Sequence, residues 1–287
     1  MPNLKTIRKR IAGVKSTQQL TRAMKLVAAA KLRRAQEAAI SLRPYEESLG
    51  DVIHHLASFD EGLTHPLLVH REPKRVLLVA FTSDRGLCGS FNINVVRAAE
   101  QFAIKQKEEG VEVELAVIGK KGYEALQRRG FKVRFYYKDL FMNMNYDRTA
   151  RIGDELSAAY NEGTYDALYV IYNWFRSPLV QKVTLTKVLP VEVPESDTRA
   201  SKFGHLFEPG RRQVLDRLYP LYVNVGLYHA LLESVASEMG ARTTAMDNAT
   251  KNASDVIAKL TLEYNKARQA SITKELVDIV GGAEAIK

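Results

Sequence analysis

A single cysteine, Cys88, stands in 287 residues. No internal disulfide framework is possible, and the chain fits a reducing compartment. No apolar run approaches the ~20 residues that span a bilayer, and the amino end lacks the apolar core and cleavage site of a secretory signal. Six histidines show no HExxH or comparable ligand spacing, which speaks against a metal centre. No Walker sequence or GxGxxG is present, so the usual phosphate-binding fingerprints are missing. Acidic residues are scarce at the start: up to Arg43, eleven lysines and arginines face the single acid Glu37. The net charge of +9 therefore sits at the amino end, and the remainder is close to neutral. Such a block suits nucleic acid, anionic lipid or an acidic protein surface. A basic, acid-poor start also resembles an organelle transit peptide, but the pattern continues straight into a long helix.

Proline is missing from Leu221 to Val280, and the only interior glycines there are Gly226 and Gly240. What occupies this stretch is one heptad seam: Val225, His229, Leu232, Ala236, Met239, Thr243, Met246, Thr250, Ala253, Ile257, Leu260, Tyr264 and Ala267. Alternating steps of three and four predict a helix buried along one narrow stripe, a rod roughly 90 Å long at 1.5 Å per residue.

The amino-terminal segment predicts a second long helix, with Asn3 as its cap. Leu4, Ile7, Ile11 and Val14 open in heptad spacing, and the apolar side then drifts through Leu20, Met24, Val27, Ala28 and Leu32, as when a helix wraps a partner without a strict 3.5 repeat. Ala28, Ala29 and Ala30 favour helix. Pro44 should kink or interrupt it, with helix resuming from Tyr45 to Ser58.

Between the helices lie short apolar runs suited to strands: Arg75–Thr82, Val111–Gly119, Phe131–Tyr137 and Asp166–Tyr172. Helical candidates alternate with them at Asn92–Glu109, Lys120–Arg129 and Asp147–Asn161. This order implies right-handed βαβ units and a mainly parallel, Rossmann-like sheet. Val180–Val188 alternates more cleanly and suits an edge strand. Pro190 to Gly210 reads as a linker. The fold class is α/β, with a long antiparallel coiled coil of the terminal helices. The expected division is 1–70 for the first helix, 71–195 for the α/β domain, and 196–287 for the linker and last helix. The last helix is the longer, so part of it must stay unpaired or meet another protein.

The one glycine-rich loop, Ser83-Asp84-Arg85-Gly86-Leu87-Cys88-Gly89-Ser90, joins a strand to a helix. Backbone N–H groups at such a place can hold phosphate, but a structural turn is favoured, its glycines easing the tight connection and Asp84 and Arg85 pairing locally or across an interface. Cys88 reads as a buried thiol. Thr243, Thr250 and the alanines make a thin seam, weaker than a leucine zipper. Arg242, Arg268 and Gln269 read either as a solvated face or as specific contacts with a surrounding protein.

Three stretches closely resemble the γ subunit of bacterial F-type ATP synthase: Ile11–Gln36 (IAGVKSTQQLTRAMKLVAAAKLRRAQ), the loop Ser83–Gly89 (SDRGLCG), and Ala241–Ala285, with ARTTAMDNATKNA, YNKARQASIT and ITKELVDIVGGAEA. The paired cysteines of the chloroplast form's redox insert are absent. The resemblance implies a non-catalytic rotating shaft without cofactor or metal, present in one copy. Its terminal helices would enter the α3β3 hexamer, where catalysis resides on β, and its α/β domain would form a foot on the ε subunit and the c-ring. It further implies a peripheral position on the cytoplasmic face of the bacterial plasma membrane. Met24, Arg242, Arg268, Gln269 and Thr273 fall at positions that contact the β subunits in the family. Two other readings stand beside it: a basic coiled-coil nucleic-acid-binding protein, and a nucleotide-dependent enzyme using the loop Ser83–Ser90.

Overall fold

A computed structural model describes residues 4–57, 65–192, 208 and 210–284. Helix α1 spans Leu4–Ala57 and helix α6 spans Arg211–Glu284. Between them come β1 (Arg75–Phe81), α2 (Phe91–Glu108), β2 (Glu112–Ile118), α3 (Lys120–Arg128), β3 (Val133–Tyr137), a short α4 (Leu140–Asn143), α5 (Tyr146–Asn161), β4 (Ala167–Phe175) and β5 (Gln181–Leu189). The five strands form one sheet in the order β3-β2-β1-β4-β5. β5 alone is antiparallel, against β4. The expected strands and helices of the α/β segment are present, with ends displaced by at most three residues, whereas α6 begins at Arg211 rather than near Leu221. The sequence reading missed α4, which is too short to show a helical period, and a one-turn 3-10 helix at Pro66–Leu68.

Burial explains the strand composition. β1 is central, and Val76 through Phe81 are all fully buried, the continuous apolar run of a parallel strand covered on both faces. Leu78 and Ala80 pack with Val95, Val96 and Ala99 of α2, Leu115 and Val117 of β2, and Leu126 of α3. Leu77 and Val79 face the opposite side by the strand's two-residue alternation. At the other end of β1, the Asp166 carboxylate accepts the backbone N–H groups of Lys74 and Arg75 at 2.9 and 2.8 Å.

The chain divides into two units. One holds α1 up to Ala28 together with α6 from Thr243. The other runs from Ala29 to Arg242 and contains the sheet.

Several expectations are corrected. Pro44 does not interrupt α1, and Pro220 lies inside α6, which begins at Arg211. The apolar drift along α1 is only partly followed by burial: Ala28 and Leu32 are buried, but Leu20 and Val27 are 61% and 58% exposed. The covered positions keep strict heptad steps through Gln18, Thr21, Lys25 and Ala28 instead. Across the seam these polar groups find partners on α6, and pairing rather than hydrophobicity decides which side is covered. The narrow-stripe expectation for α6 holds from Thr243 onward. From Ala230 to Arg242 every residue is buried, because there the helix is enclosed on all sides. Asn3, Ser58 and most of the expected linker lie outside the described residues.

Candidate functional site

In doubly wound sheets, ligands bind outside the carboxyl ends of the strands, where the strand order reverses. Here that point lies beside β1, which leads to β2 on one side and pairs with β4 on the other. The middle of α6 fills it. The Ser237 hydroxyl donates to the Asn173 carbonyl at 2.9 Å, and the Glu233 carboxylate accepts the Phe175 N–H at 2.9 Å. Gly240 lies against the β4–β5 hairpin, so closely that a Cβ there would stand 2.9 Å from the Phe175 ring and 3.2 Å from the Pro178 Cα.

Arg242 holds the loop after β1. Its guanidinium donates to the carbonyls of Gly86 and Arg85 at 3.1 and 3.5 Å and to the Glu238 carboxylate at 2.7 Å. Arg242 is 8% exposed and Glu238 3%. Burial raises the Glu238 carboxyl above its ordinary range, with Arg242 pulling it back down.

The loop is otherwise tied to itself. Ser83 N–H donates to the Asn92 side chain at 2.8 Å, and the Ser83 hydroxyl to the Arg85 carbonyl at 2.7 Å. Asn92 donates to the Ser83 oxygen and to Cys88 Sγ at 2.8 and 3.2 Å. Asp84 accepts the Lys120 N–H at 3.0 Å, a partner 36 residues away rather than within the loop, while the Arg85 side chain is exposed. Carbonyl groups of this loop point at a cation, the reverse of a phosphate cradle, in which N–H groups converge. Of its two glycines, Gly89 takes a positive φ of 56° and Gly86 does not. Leu87 adopts φ 65° instead while 65% exposed. Cys88 is buried, and burial followed by the Glu238 carboxylate pushes its thiol pKa up, leaving little thiolate to react.

The paired-helix unit is different in kind. Arg8 donates to the Tyr264 hydroxyl at 3.0 Å, Gln18 to Ser254 at 2.7 Å, and the hydroxyls of Thr21 and Thr250 lie 2.8 Å apart. Lys25 meets Asp247 at 2.6 Å, and Lys251 reaches the same carboxylate at 2.8 Å. Hydrogen bonds from Lys25 and then Lys251 lower the Asp247 pKa to about 2. Partner numbers rise on α1 as they fall on α6, so the two helices are antiparallel. From Ile272 to Gly282 every residue is exposed, because α1 has reached its beginning by then.

Met24 is half-buried at the seam edge, while Arg268, Gln269 and Thr273 are exposed on α6, where the Thr273 hydroxyl bonds back to the Gln269 carbonyl at 3.0 Å. The structure thus leaves Arg268, Gln269 and Thr273 facing outward and turns Arg242 inward to Glu238 and the loop. Sequence reasoning missed Glu233 and Glu238. Their signal was two acids set in the otherwise small and apolar run Ala230–Gly240, where a charge has to find a buried partner. Among the described residues, no helix is long and apolar enough to cross a membrane, and no group of three or more His, Cys, Asp or Glu side chains could hold a metal ion.

Comparison with known proteins matches residues 3–286 to the ATP synthase family. The ATP synthase gamma chain of Geobacter sp. (strain M21) is 49% identical with complete coverage of both chains, and that of Pelotomaculum thermopropionicum is 47% identical with the same coverage. A chain of the Tetrahymena thermophila mitochondrial ATP synthase central stalk and c-ring structure superposes with a TM-score of 0.62 at 27% identity, over 80% of this chain and 99% of that one. A chain of the Euglena gracilis mitochondrial ATP synthase structure, at 21% identity, shares the fold with a TM-score of 0.69, over 99% of this chain and 94% of that one. These likenesses favour the shaft over a nucleic-acid-binding coiled coil.

Proposed function

Because the chain belongs to the ATP synthase γ family along its whole length, we propose that it is the central-stalk rotor, coupling c-ring rotation to conformational change in the catalytic α3β3 hexamer. The observation that carries this reading is the enclosed stretch of α6. The crevice that would take a nucleotide in a doubly wound enzyme is filled by the chain's own helix through Glu233, Ser237 and Gly240. The same helix then continues as one half of a seam-paired rod. The α/β segment, 71–195, serves as the foot on the ε subunit and the c-ring. Catalysis belongs to β, and the position is peripheral, on the cytoplasmic face of the bacterial plasma membrane, with the c-ring as the link to the bilayer.

The mechanism is differential contact. A rod inside a pseudo-threefold collar presents a different face to each β subunit. A partner shifts a conformational equilibrium only by interacting unequally with its states, so turning the rod permutes which β is held in which state. The basic residues of α1 give attraction to acidic loops without adhesive packing. Met24 and the outward-facing Arg268, Gln269 and Thr273 form the contact set with β. Arg242 acts indirectly, holding the loop Asp84–Gly89 against α6.

Native mass spectrometry of this chain mixed with bacterial α and β subunits tests the reading. A species with one copy of this chain per α3β3 hexamer is expected, and failure to assemble with well-folded partners would overturn it. Within that complex, Arg268→Ala with Gln269→Ala is expected to lower the torque delivered and the ATP turnover while leaving the folding of the isolated chain unchanged. Unchanged torque and turnover would remove these residues from the contact set.

A further inference from the structure

The sheet-bearing unit contains a cluster that neither the loop nor the paired rod uses. On α6, His229 Nδ1 lies 2.8 Å from a Glu46 oxygen of α1, and Nε2 lies 3.6 Å from a Glu233 oxygen. Glu233 is 3% exposed, and its other oxygen accepts the Phe175 N–H at the end of β4. A neutral imidazole carries one N–H and can serve one of these carboxylates; an imidazolium donates to both. Losing the proton leaves Glu233 as a buried anion deprived of its closest cation, a costly arrangement.

The other groups facing the imidazole do not replace that charge. Tyr222 of α6 and Tyr172 of β4 are neutral phenols, both pushed up chiefly by burial. Lys187 of β5 is engaged with Glu192 at 2.8 Å, and Arg43 of α1 acts on Glu233 through its charge. A cavity of about 180 Å³, bordered by Glu46, Tyr172, Lys187, Glu192, Tyr222 and His229, gives the imidazole a route to solvent protons.

We propose that protonated His229 is a positioning residue, a charged strut that ties α1 to the end of β4 through α6 and lets go when its proton is lost. The Glu233 carboxylate and then the Glu46 carboxylate raise its pKa to about 9. The folded value lies above the unfolded value of about 6.5. The strut's contribution to stability is therefore complete below about pH 6.5 and is lost as pH rises from there through about 9. At neutral pH the strut is closed, and alkalinity opens it.

The strut can be tested on the isolated full-length chain, independently of assembly. Selectively ¹³C-labelled histidines are titrated by NMR from about pH 6 to about pH 10, with the His229 signal assigned by its absence in His229→Gln. The expected result is one imidazole titrating near 9, with a midpoint that falls by about one unit or more in Glu46→Gln. Thermal unfolding of the wild type should lose more between about pH 6.5 and about pH 9 than that of His229→Gln. A His229 midpoint at or below about 6.5, or one indifferent to Glu46→Gln, would overturn the strut. The strut stands independently of the central-stalk reading, which is tested separately by assembly around α3β3.

Discussion

At the residue scale, the most consequential side chain is Arg242. It joins three partners: the Glu238 carboxylate and the carbonyls of Arg85 and Gly86. Truncating it strands a buried acid and takes a donor from the Gly86 carbonyl, while the Arg85 carbonyl keeps the Ser83 hydroxyl. Arg242→Ala is expected to cost about 3 kcal/mol or more in urea unfolding. Arg242→Met combined with Glu238→Leu should recover much of that loss, because it removes the buried acid together with its cation. If the double variant is as unstable as the single one, the ion pair is not the main contribution. Arg242 and Glu238 also mark a boundary in legibility. The presence of both residues is plain in the sequence. That the arginine turns inward to a loop some 150 residues away depends on long-range topology, which heptad spacing does not report.

At the element scale, α6 is two different helices in one. Its enclosed stretch is limited by the close approach of the β4–β5 hairpin, and Gly240 is the residue that permits it. Alanine there gains about 1 kcal/mol of helix propensity but must push back the Phe175 ring and the Pro178 backbone, an overpacking cost of about 1–3 kcal/mol. A net loss of about 1 kcal/mol is expected for Gly240→Ala by chemical denaturation, and a gain would show that the hairpin yields freely. The paired stretch has the opposite character. Thr21 and Thr250 face each other at 2.8 Å, and replacing both hydroxyls with methyls removes a polar pair without leaving an orphan. Thr21→Val with Thr250→Val should keep or raise thermal stability, whereas Thr21→Val alone should lower it. The period of this seam was legible on α6 from Thr243 to Ala267, because its apolar members are spaced correctly. On α1 the period was obscured: Leu20 and Val27 attract attention but are exposed, while the covered positions are Gln18, Thr21 and Lys25.

At the scale of the whole molecule, residues fall into those that hold the chain together and those left outside. The exposed end of α6 carries Ile272, Leu276, Val277, Ile279 and Val280, all exposed, on a helix that α1 no longer accompanies. Removing residues 272–284 is expected to leave the melting curve of the isolated chain unchanged by circular dichroism and to weaken its capture by α3β3. A lowered melting temperature would mean that this end supports the fold.

Local periodicity and composition determined the order helix, α/β domain, helix; the mainly parallel sheet with its edge strand; and the thin antiparallel seam. Each of these rests on neighbours in the chain: alternation within a strand, heptad steps within a helix, a basic block before Arg43. The tertiary structure alone decided that α6 closes the sheet's crevice, that Arg242 serves the loop after β1, that Pro44 and Pro220 are carried within helices, and that His229 stands between two carboxylates. Those outcomes depend on side chains brought together across many residues, where burial sets the cost of each unpaired charge and only the assembled fold supplies the partner.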